Sequence, residues 1–251
     1  LKDFLFGHST AVALRSMILR GRQYWINGLL EFILGKQADI LLLSYFLVGA
    51  QVIGHYDVAM SFAQLINFGL TTGLYGISIA TFASIAVTNE RLLPRYWESL
   101  SRAVIVVVVP AFIFAVSFAD ILFPTVYSPE YQPSIHLFQV YAVFLVVTRV
   151  LGGGTAADYL QASGKTGVLI LASGVSGCVN LILAFILIPG FGALGAVYAT
   201  GVAALVIAGV HAFYSWKLLK VHFPIRAGFL VIASGIVCAG LTKMIVPNIA
   251  G

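Results

Sequence analysis

Charge is scarce in this chain of 251 residues, since Asp, Glu, Lys and Arg together make up 9% of it. A soluble globular domain carries about 25% charged residues. Apolar side chains account for 60% of the sequence instead. A water-soluble fold cannot cover that much apolar surface with so few charges, so the composition indicates an integral membrane protein.

Cysteines and catalytic motifs are also few. Cys178 and Cys238 are the two cysteines, and both lie inside apolar stretches. Disulfide frameworks need exposed cysteines in an oxidising compartment, so we interpret both as small packing residues. The sequence lacks GxSxG, HExxH, a Walker loop and a dinucleotide fingerprint, and its short connections leave no room for a catalytic domain. These absences argue against an enzyme.

Seven apolar segments each approach the roughly 20 residues that an α-helix needs to cross a bilayer. They cover 26–48, 58–87, 103–122, 135–155, 167–188, 193–215 and 227–246. Pro110 predicts a kink in the third segment, because proline removes a backbone donor. Three glycines, 152–154, predict a break in the fourth. The fold class is therefore all-α and polytopic, with about seven transmembrane helices.

Basic residues are missing from the connections on one side of this arrangement. Lys and Arg are absent from 49–57, 123–134 and 189–192, whereas 11 of the 14 basic residues lie in 1–25, 88–102, 156–166 and 216–226. Connections rich in Lys and Arg stay in the cytoplasm. We therefore expect a multi-pass protein of the cytoplasmic membrane, with residues 1–25 on the cytoplasmic side. The formal charge of +5 then reflects topology and contact with anionic lipid rather than nucleic-acid binding.

Segments five and six carry small residues along their facing surfaces. Small residues let helix backbones approach closely in lipid, where packing by van der Waals contact drives association. The connection between these segments is short, comprising residues 189–192. This pattern predicts a tight antiparallel helix pair.

Ionisable residues inside apolar segments are candidates for a substrate cavity, because each costs about 2.5–3.5 kcal/mol to insert at the bilayer centre. They are Glu31, Lys36, Asp39 and Arg149. Lys36 and Asp39 lie three residues apart on one helical face, so a structural ion pair between them is the alternative to substrate contact. For Arg149, the alternatives are an extension toward the cytoplasmic interface and a bidentate contact with phosphate.

A second group of polar residues is predicted from their positions along three segments. Asp39, Asn180 and Thr200 lie about nine, eight and seven residues inside the outer ends of their segments, which agree within about one helical turn. Carboxylate, amide and hydroxyl oxygens are suitable ligands for Na⁺, and a carboxylate can carry a proton. The alternative is that Asn180 and Thr200 form structural hydrogen bonds between helices. We predict that Asp39 contributes to cation or proton coupling, with Asn180 and Thr200 as further candidates.

A passage in the fifth and sixth segments resembles a family motif. Residues 180–200 read NLILAFILIPGFGALGAVYAT, which is similar to the "N…L(I/L)P-x-x-G-x-x-G-A-x-x-A-T" passage of polysaccharide and lipid-linked oligosaccharide flippases. Three weaker passages occur in the family's order: DILLL from Asp39 with VIGHYDVA from Val52, PEY from Pro129, and LQASGK from Leu160. The resemblance covers about residues 25–215 and points to the multidrug/oligosaccharidyl-lipid/polysaccharide superfamily, which includes O-antigen and lipid II flippases.

The resemblance implies a two-lobed transporter similar to the multidrug and toxin exporters. Residues 26–217 would form the second six-helix lobe, 1–25 the cytoplasmic segment that enters it, and 218–251 an inner loop with an accessory helix. The first lobe would lie outside this chain. The expected activity is the flipping of a polyprenyl-pyrophosphate oligosaccharide by alternating access, without catalytic residues or cofactors, coupled to Na⁺ or H⁺. Expected partners are that substrate, membrane lipids and polysaccharide polymerase or assembly proteins.

One departure from the family concerns the cation site. Lipid II flippases can bind sodium with an acidic residue one turn after the asparagine, and this chain has Ala184 there. Two other functions remain open on the sequence alone. One is a multidrug or toxin cation exporter of the same superfamily. The other is an intramembrane glycan-processing enzyme, which would require catalytic residues at an interface and a substantial outer loop.

Overall fold

A computed structural model describes residues 18, 21–22, 25–30, 35–46 and 48–249 of the chain. These residues form helices joined by short connections and contain no strand. In chain order the α-helices are α1 (Lys36–Tyr45), α2 (Ala50–Thr88), α3 (Leu93–Ser117), α4 (Ala119–Val126), α5 (Ser134–Val150), α6 (Gly153–Ala162), α7 (Thr166–Phe191), α8 (Ala193–Leu219) and α9 (Ile225–Ile249). Short 3₁₀ turns at Glu90–Leu92 and Pro129–Tyr131 precede α3 and α5, and residues 25–30 are also helical.

Five of these helices are long and apolar enough to cross a membrane, namely α2, α3, α7, α8 and α9. Helices α5 and α6 together qualify as a sixth, broken span with a bend of 50°. The predicted all-α polytopic membrane fold is therefore confirmed. The first predicted segment, 26–48, includes residues 31–34 and 47, which lie outside the described residues. Its status as a membrane span stays a prediction.

The bend between α5 and α6 lies at Gly152. This residue has a φ of +70°, in the left-handed region that glycine adopts without a Cβ penalty. A Cβ at this position would lie 2.7 Å from Cζ2 of Trp97 on α3, so the turn also needs the small residue for space. The predicted break in the fourth segment is confirmed. Pro110 lies within the continuous helix α3, and the kink predicted there stays a prediction.

Two predicted connections are largely helical. The prediction of a connection at 49–57 is wrong for all but its first residue. Helix α2 begins at Ala50 and runs for 39 residues. At 1.5 Å per residue this helix is about 58 Å long, well beyond the thickness of a bilayer core. The connection at 156–166 is mostly occupied by α6. Polar residues such as His55 and Asp158 interrupt the apolar pattern, although the structure buries both side chains.

The basic connections lie at one end of the helix bundle. The His222 backbone N–H donates to Oε1 of Glu98 at 3.0 Å, which joins the start of α3 to the connection before α9. The Tyr159 ring on α6 packs 5.7 Å from the Phe82 ring on α2. The connections at 88–102, 156–166 and 216–226 are therefore neighbours, as strict alternation of the segments requires. We call this part the basic end of the bundle.

Aromatic packing joins the helices toward the opposite end. The rings of Phe62 on α2, Phe123 on α4 and Phe138 on α5 have centroid separations of 4.9–5.5 Å. All three side chains are buried. Edge-to-face contacts at these distances are favourable for aromatic rings. This cluster fixes α2 against α4 and α5 and so positions the polar residues that α2 carries.

Helices α7 and α8 form the tight antiparallel pair predicted from their small residues. A single residue, Gly192 with a φ of +57°, separates them. The Ser176 hydroxyl donates to the Ala203 carbonyl oxygen at 2.8 Å. A Cβ on Gly195 would lie 2.6 Å from the carbonyl carbon of Leu187. The two backbones therefore approach too closely for any side chain at residue 195.

Candidate functional site

Four helices meet around the carboxylate of Asp39. Helix α1 carries this residue, which has no solvent-exposed surface. The Tyr56 hydroxyl on α2 donates to Oδ2 at 2.6 Å, and the Asn180 amide on α7 donates to Oδ1 at 2.8 Å. The Thr200 hydroxyl on α8 also donates to Oδ2. Each of the four side chains thus comes from a different helix.

These donors orient the carboxylate without neutralising it. Within the part of the chain that the structure describes, no basic side chain forms an ion pair with Asp39. A buried carboxylate is stable only when it is protonated, paired with a cation, or fully hydrogen-bonded. Hydroxyl and amide groups can also present their oxygen atoms to a small cation. The arrangement can therefore hold either a proton or a cation beside Asp39.

Lys36 pairs with another carboxylate, so the ion pair with Asp39 that the sequence left open as an alternative does not form. Its ammonium group bonds instead to Oδ1 of Asp57 at 2.5 Å and to the Ser61 hydroxyl at 2.8 Å. The physical reason is that Tyr56 and its neighbour Asp57 lie on α2 beside α1. The longer Lys36 side chain reaches the more exposed carboxylate, while the buried carboxylate receives the neutral donors.

The depth argument correctly grouped Asp39, Asn180 and Thr200, which the structure brings into direct contact. It missed Tyr56, because residues 49–57 were interpreted as a connection. The available signal is the passage VIGHYDVA, because its tyrosine belongs to the motif that resembles the flippase family. Whether these residues couple transport to an ion remains a prediction.

Ala184 lies one helical turn after Asn180 on α7 and is completely buried. A second carboxylate at this position would add a charged ligand beside Asp39, and alanine provides none. Among the described residues, no group of three or more His, Cys, Asp and Glu side chains could hold a metal ion. The described ligands for a cation at Asp39 are therefore one carboxylate and neutral oxygens.

Arg149 lies at a separate polar site near the basic end. Its Nε and Nη2 donate to Oδ1 of Asn67 on α2, at 3.0 and 2.5 Å. This contact holds the guanidinium against α2, and both alternatives for Arg149, extension toward the cytoplasmic interface and contact with a phosphate, stay predictions. The neighbouring Asp158 on α6 accepts a hydrogen bond from the Ser78 hydroxyl. Glu31, the remaining candidate, lies outside the described residues.

A cavity of about 300 Å³ lies between α2, α3, α5 and α6 beside Arg149. Arg149 and Asp158 both line it, together with apolar residues of α2 and α3. This cavity and the site around Asp39 share no residue. The bundle therefore contains two distinct polar sites.

No curated protein sequence matches this chain. Among solved structures, the fold is similar to a protein described as "Lipid II flippase MurJ, inward closed conformation", with a TM-score of 0.68 at 14% sequence identity. The match covers 84% of this chain and 45% of that flippase, so the chain spans about half of that protein's length. The profile of the family described as polysaccharide biosynthesis protein matches residues 8–136, slightly more than half of the chain. The chain therefore belongs to the polysaccharide biosynthesis protein family.

Proposed function

We propose that this chain forms the C-terminal lobe of a flippase for polyprenyl-pyrophosphate-linked oligosaccharides. The protein would move its substrate from the cytoplasmic to the outer leaflet by alternating access, for the assembly of a surface polysaccharide. Family membership and the fold shared with a lipid II flippase support this proposal. The observation that carries it is a fully buried carboxylate, Asp39, at the meeting point of four helices in a membrane bundle.

The Asp39 site is the proposed coupling site, and Na⁺ and H⁺ are the candidate ions. Asp39, Asn180 and Thr200 belong to different helices, so binding of an ion changes how those helices attract one another. A polar residue buried in a membrane bundle is a functional candidate because its insertion is costly. A cation or proton that binds one arrangement of the helices better than another shifts the populations of the two arrangements.

Lys36 and Arg149 are the described candidates for contact with the anionic substrate, and Glu31 is a further candidate. Lys36 is partly exposed and shares its charge with Asp57, whose side chain is 47% exposed. This pair is accessible enough to exchange partners when a pyrophosphate approaches. Arg149 retains donors that Asn67 does not use.

The proposed location is the cytoplasmic membrane, with residues 1–25 and the basic end of the bundle on the cytoplasmic side. The distribution of Lys and Arg among the connections supports this orientation. Polymerase or assembly proteins that receive the flipped glycan are the proposed protein partners. No covalent chemistry is required of the lobe, because the polar glycan moves through a cavity while the polyprenyl tail stays in lipid.

Transport in proteoliposomes tests the proposal. The full-length protein is reconstituted with polyprenyl-pyrophosphate oligosaccharide, and an added membrane-impermeant glycosidase reports the glycan that becomes exposed. Exposure should depend on the protein and respond to an imposed Na⁺ or pH gradient. The Asp39→Asn variant should lose the response to the gradient. The matched control Asp120→Asn, at an exposed residue of α4, should keep it.

Three outcomes would contradict parts of this proposal. Unchanged ion dependence in Asp39→Asn would remove the coupling role from this residue. Export of small organic cations without glycan exposure would favour the multidrug or toxin exporter. Chemical modification of the glycan by the purified protein would favour the intramembrane glycan-processing enzyme.

A further inference from the structure

The cavity beside Arg149 contains two opposite charges that attract each other without direct contact. The Arg149 guanidinium and the Asp158 carboxylate both line it. Among the described residues they form no ion pair, although ion pairs occur elsewhere in the bundle. Each charge is held by a neutral partner instead, Asn67 for the guanidinium and Ser78 for the carboxylate. Neither charge is in direct contact with the other among the described residues, so a ligand that carries both signs of charge can bind between them.

Arg149 retains donors for an anion. Asn67 receives hydrogen bonds from Nε and Nη2, and the structure shows none from Nη1 within the described residues. A Cβ on Gly154 would collide with Nη1, so glycine at this position lets the guanidinium lie against α6. Gly154 lines the same cavity. A guanidinium with free N–H groups in a low-dielectric cavity is a strong site for phosphate.

The remaining walls suit the apolar part of a lipid. Phe68 and Leu74 of α2 are 60% and 37% exposed, which places large apolar side chains at the open side of the cavity. Leu100 and Val104 of α3 line it from the other side. The volume of about 300 Å³ is at the lower end for ligand pockets and suits a headgroup rather than a whole lipid.

Part of the cavity wall lies next to the charged connections at the basic end of the bundle. Leu100 and Val104 lie on either side of Arg102, the last charged residue before the apolar segment 103–122. Helix α6, which supplies Asp158, ends three residues before Lys165 at the basic end. Lipid phosphates occupy this boundary between charged connections and apolar segments.

We propose that this cavity binds a membrane phospholipid whose headgroup carries both a phosphate and a primary amine, as phosphoethanolamine does. The phosphate contacts Arg149, the ammonium group contacts Asp158, and the acyl chains extend past Phe68 and Leu74. The site is thus a lipid site distinct from the proposed coupling site.

Native mass spectrometry of the delipidated full-length protein tests this inference without any transport. Phosphatidylethanolamine and phosphatidylglycerol with identical acyl chains are titrated separately. The wild-type protein should bind one phosphatidylethanolamine about tenfold more tightly, as one charge-assisted hydrogen bond provides. Asp158→Asn should bring the two affinities close together. Arg149→Gln should weaken both lipids. Because no gradient or glycan is present, failure of flippase activity leaves these results unaffected.

The matched control is Arg102→Gln, which removes an exposed basic residue paired with Glu98 outside the cavity. It should leave both affinities unchanged. If Arg149→Gln does not fold, Arg149→Lys is the substitute. Its affinity for both lipids should be weaker than that of the wild type, because lysine keeps the positive charge but lacks the planar, bidentate guanidinium. Equal wild-type affinities for the two lipids would overturn the inference. So would affinities that neither cavity variant alters.

Discussion

The Tyr56 hydroxyl on α2 donates a 2.6 Å hydrogen bond to Oδ2 of Asp39 on α1. The next residue of α2, Asp57, pairs with Lys36 one turn earlier on α1. Two adjacent residues of one helix therefore hold two polar residues of the other. A movement of α1 relative to α2 that separates these residues would break both contacts, which is how the proposed coupling role would link an ion at Asp39 to the position of α1.

The first prediction concerns the Tyr56 hydroxyl. Tyr56→Phe should lower the free energy of unfolding by about 1–3 kcal/mol, because it removes a donor from a buried carboxylate. Unfolding by SDS in mixed micelles measures the change. Tyr45→Phe is the matched control, since Tyr45 is 71% exposed and should tolerate the substitution. Equal stabilities of the two variants would show that the hydrogen bond to Asp39 contributes nothing.

The second prediction distinguishes the two possible partners of Lys36. A double-mutant cycle with Lys36→Met and Asp57→Asn should give a coupling free energy of about 0.5–1 kcal/mol that decreases with salt. The corresponding cycle with Asp39→Asn should give a smaller coupling, because Lys36 bonds to Asp57. A larger coupling to Asp39 would restore the ion pair expected from the sequence. The same unfolding measurement serves both cycles.

The third prediction tests the close approach of α7 and α8. Gly195→Ala should destabilise the protein by about 1–3 kcal/mol or more, because the new methyl group meets backbone atoms that cannot rotate away. Those atoms belong to Leu187. Gly209→Ala, also on α8, has no atom within 4 Å of the added Cβ and is the control. Melting temperatures of the purified variants that decreased equally would contradict the predicted contact.

The fourth prediction separates backbone strain from steric collision at two glycines with positive φ. Gly152 lies at the break before α6, and Gly164 lies just after α6. Gly164→Ala introduces a side chain at a φ of +68° into open space, and should cost about 1–2 kcal/mol from the left-handed conformation. Gly152→Ala combines a similar φ with a collision against the buried Trp97 ring. Gly152→Ala should therefore lower the free energy of unfolding by about 1–3 kcal/mol more than Gly164→Ala does. Thermal unfolding that ranks the variants in the opposite order would refute this explanation.

Some features of the site were predictable because they depend on position along a helix. Asp39, Asn180 and Thr200 lie at similar depths in three segments, and membrane helices cross the same thickness of lipid. Residues at equal depth are therefore neighbours where they lie on the contacting faces of packed helices. Tyr56 was missed because a run of polar residues around His55 resembles a loop, and neither composition nor depth reveals that α2 extends beyond the membrane core.

The partner of Lys36 was not predictable for a different reason. Spacing along one helix gives the residues that share its face, which made Asp39 a candidate partner. The structure adds α2 beside that face and offers Asp57 and Ser61 as alternatives. Likewise, Arg149 meets Asn67 and Asp158 lies beside Ser78, although about eighty residues separate the members of each pair.

The sequence by itself determined that the protein lies in a membrane and that it is all-α, because these follow from local composition and from the length of the hydrophobic segments. The placement of charge along the sequence predicts how the segments alternate across the membrane. The glycines at 152–154 and in α8 likewise determined where the chain breaks and where helices approach closely. Tertiary structure alone decided which polar groups meet. Hydrogen bonds and ion pairs depend on ångström distances between helices that are remote in sequence, and those distances are set by packing of the whole bundle.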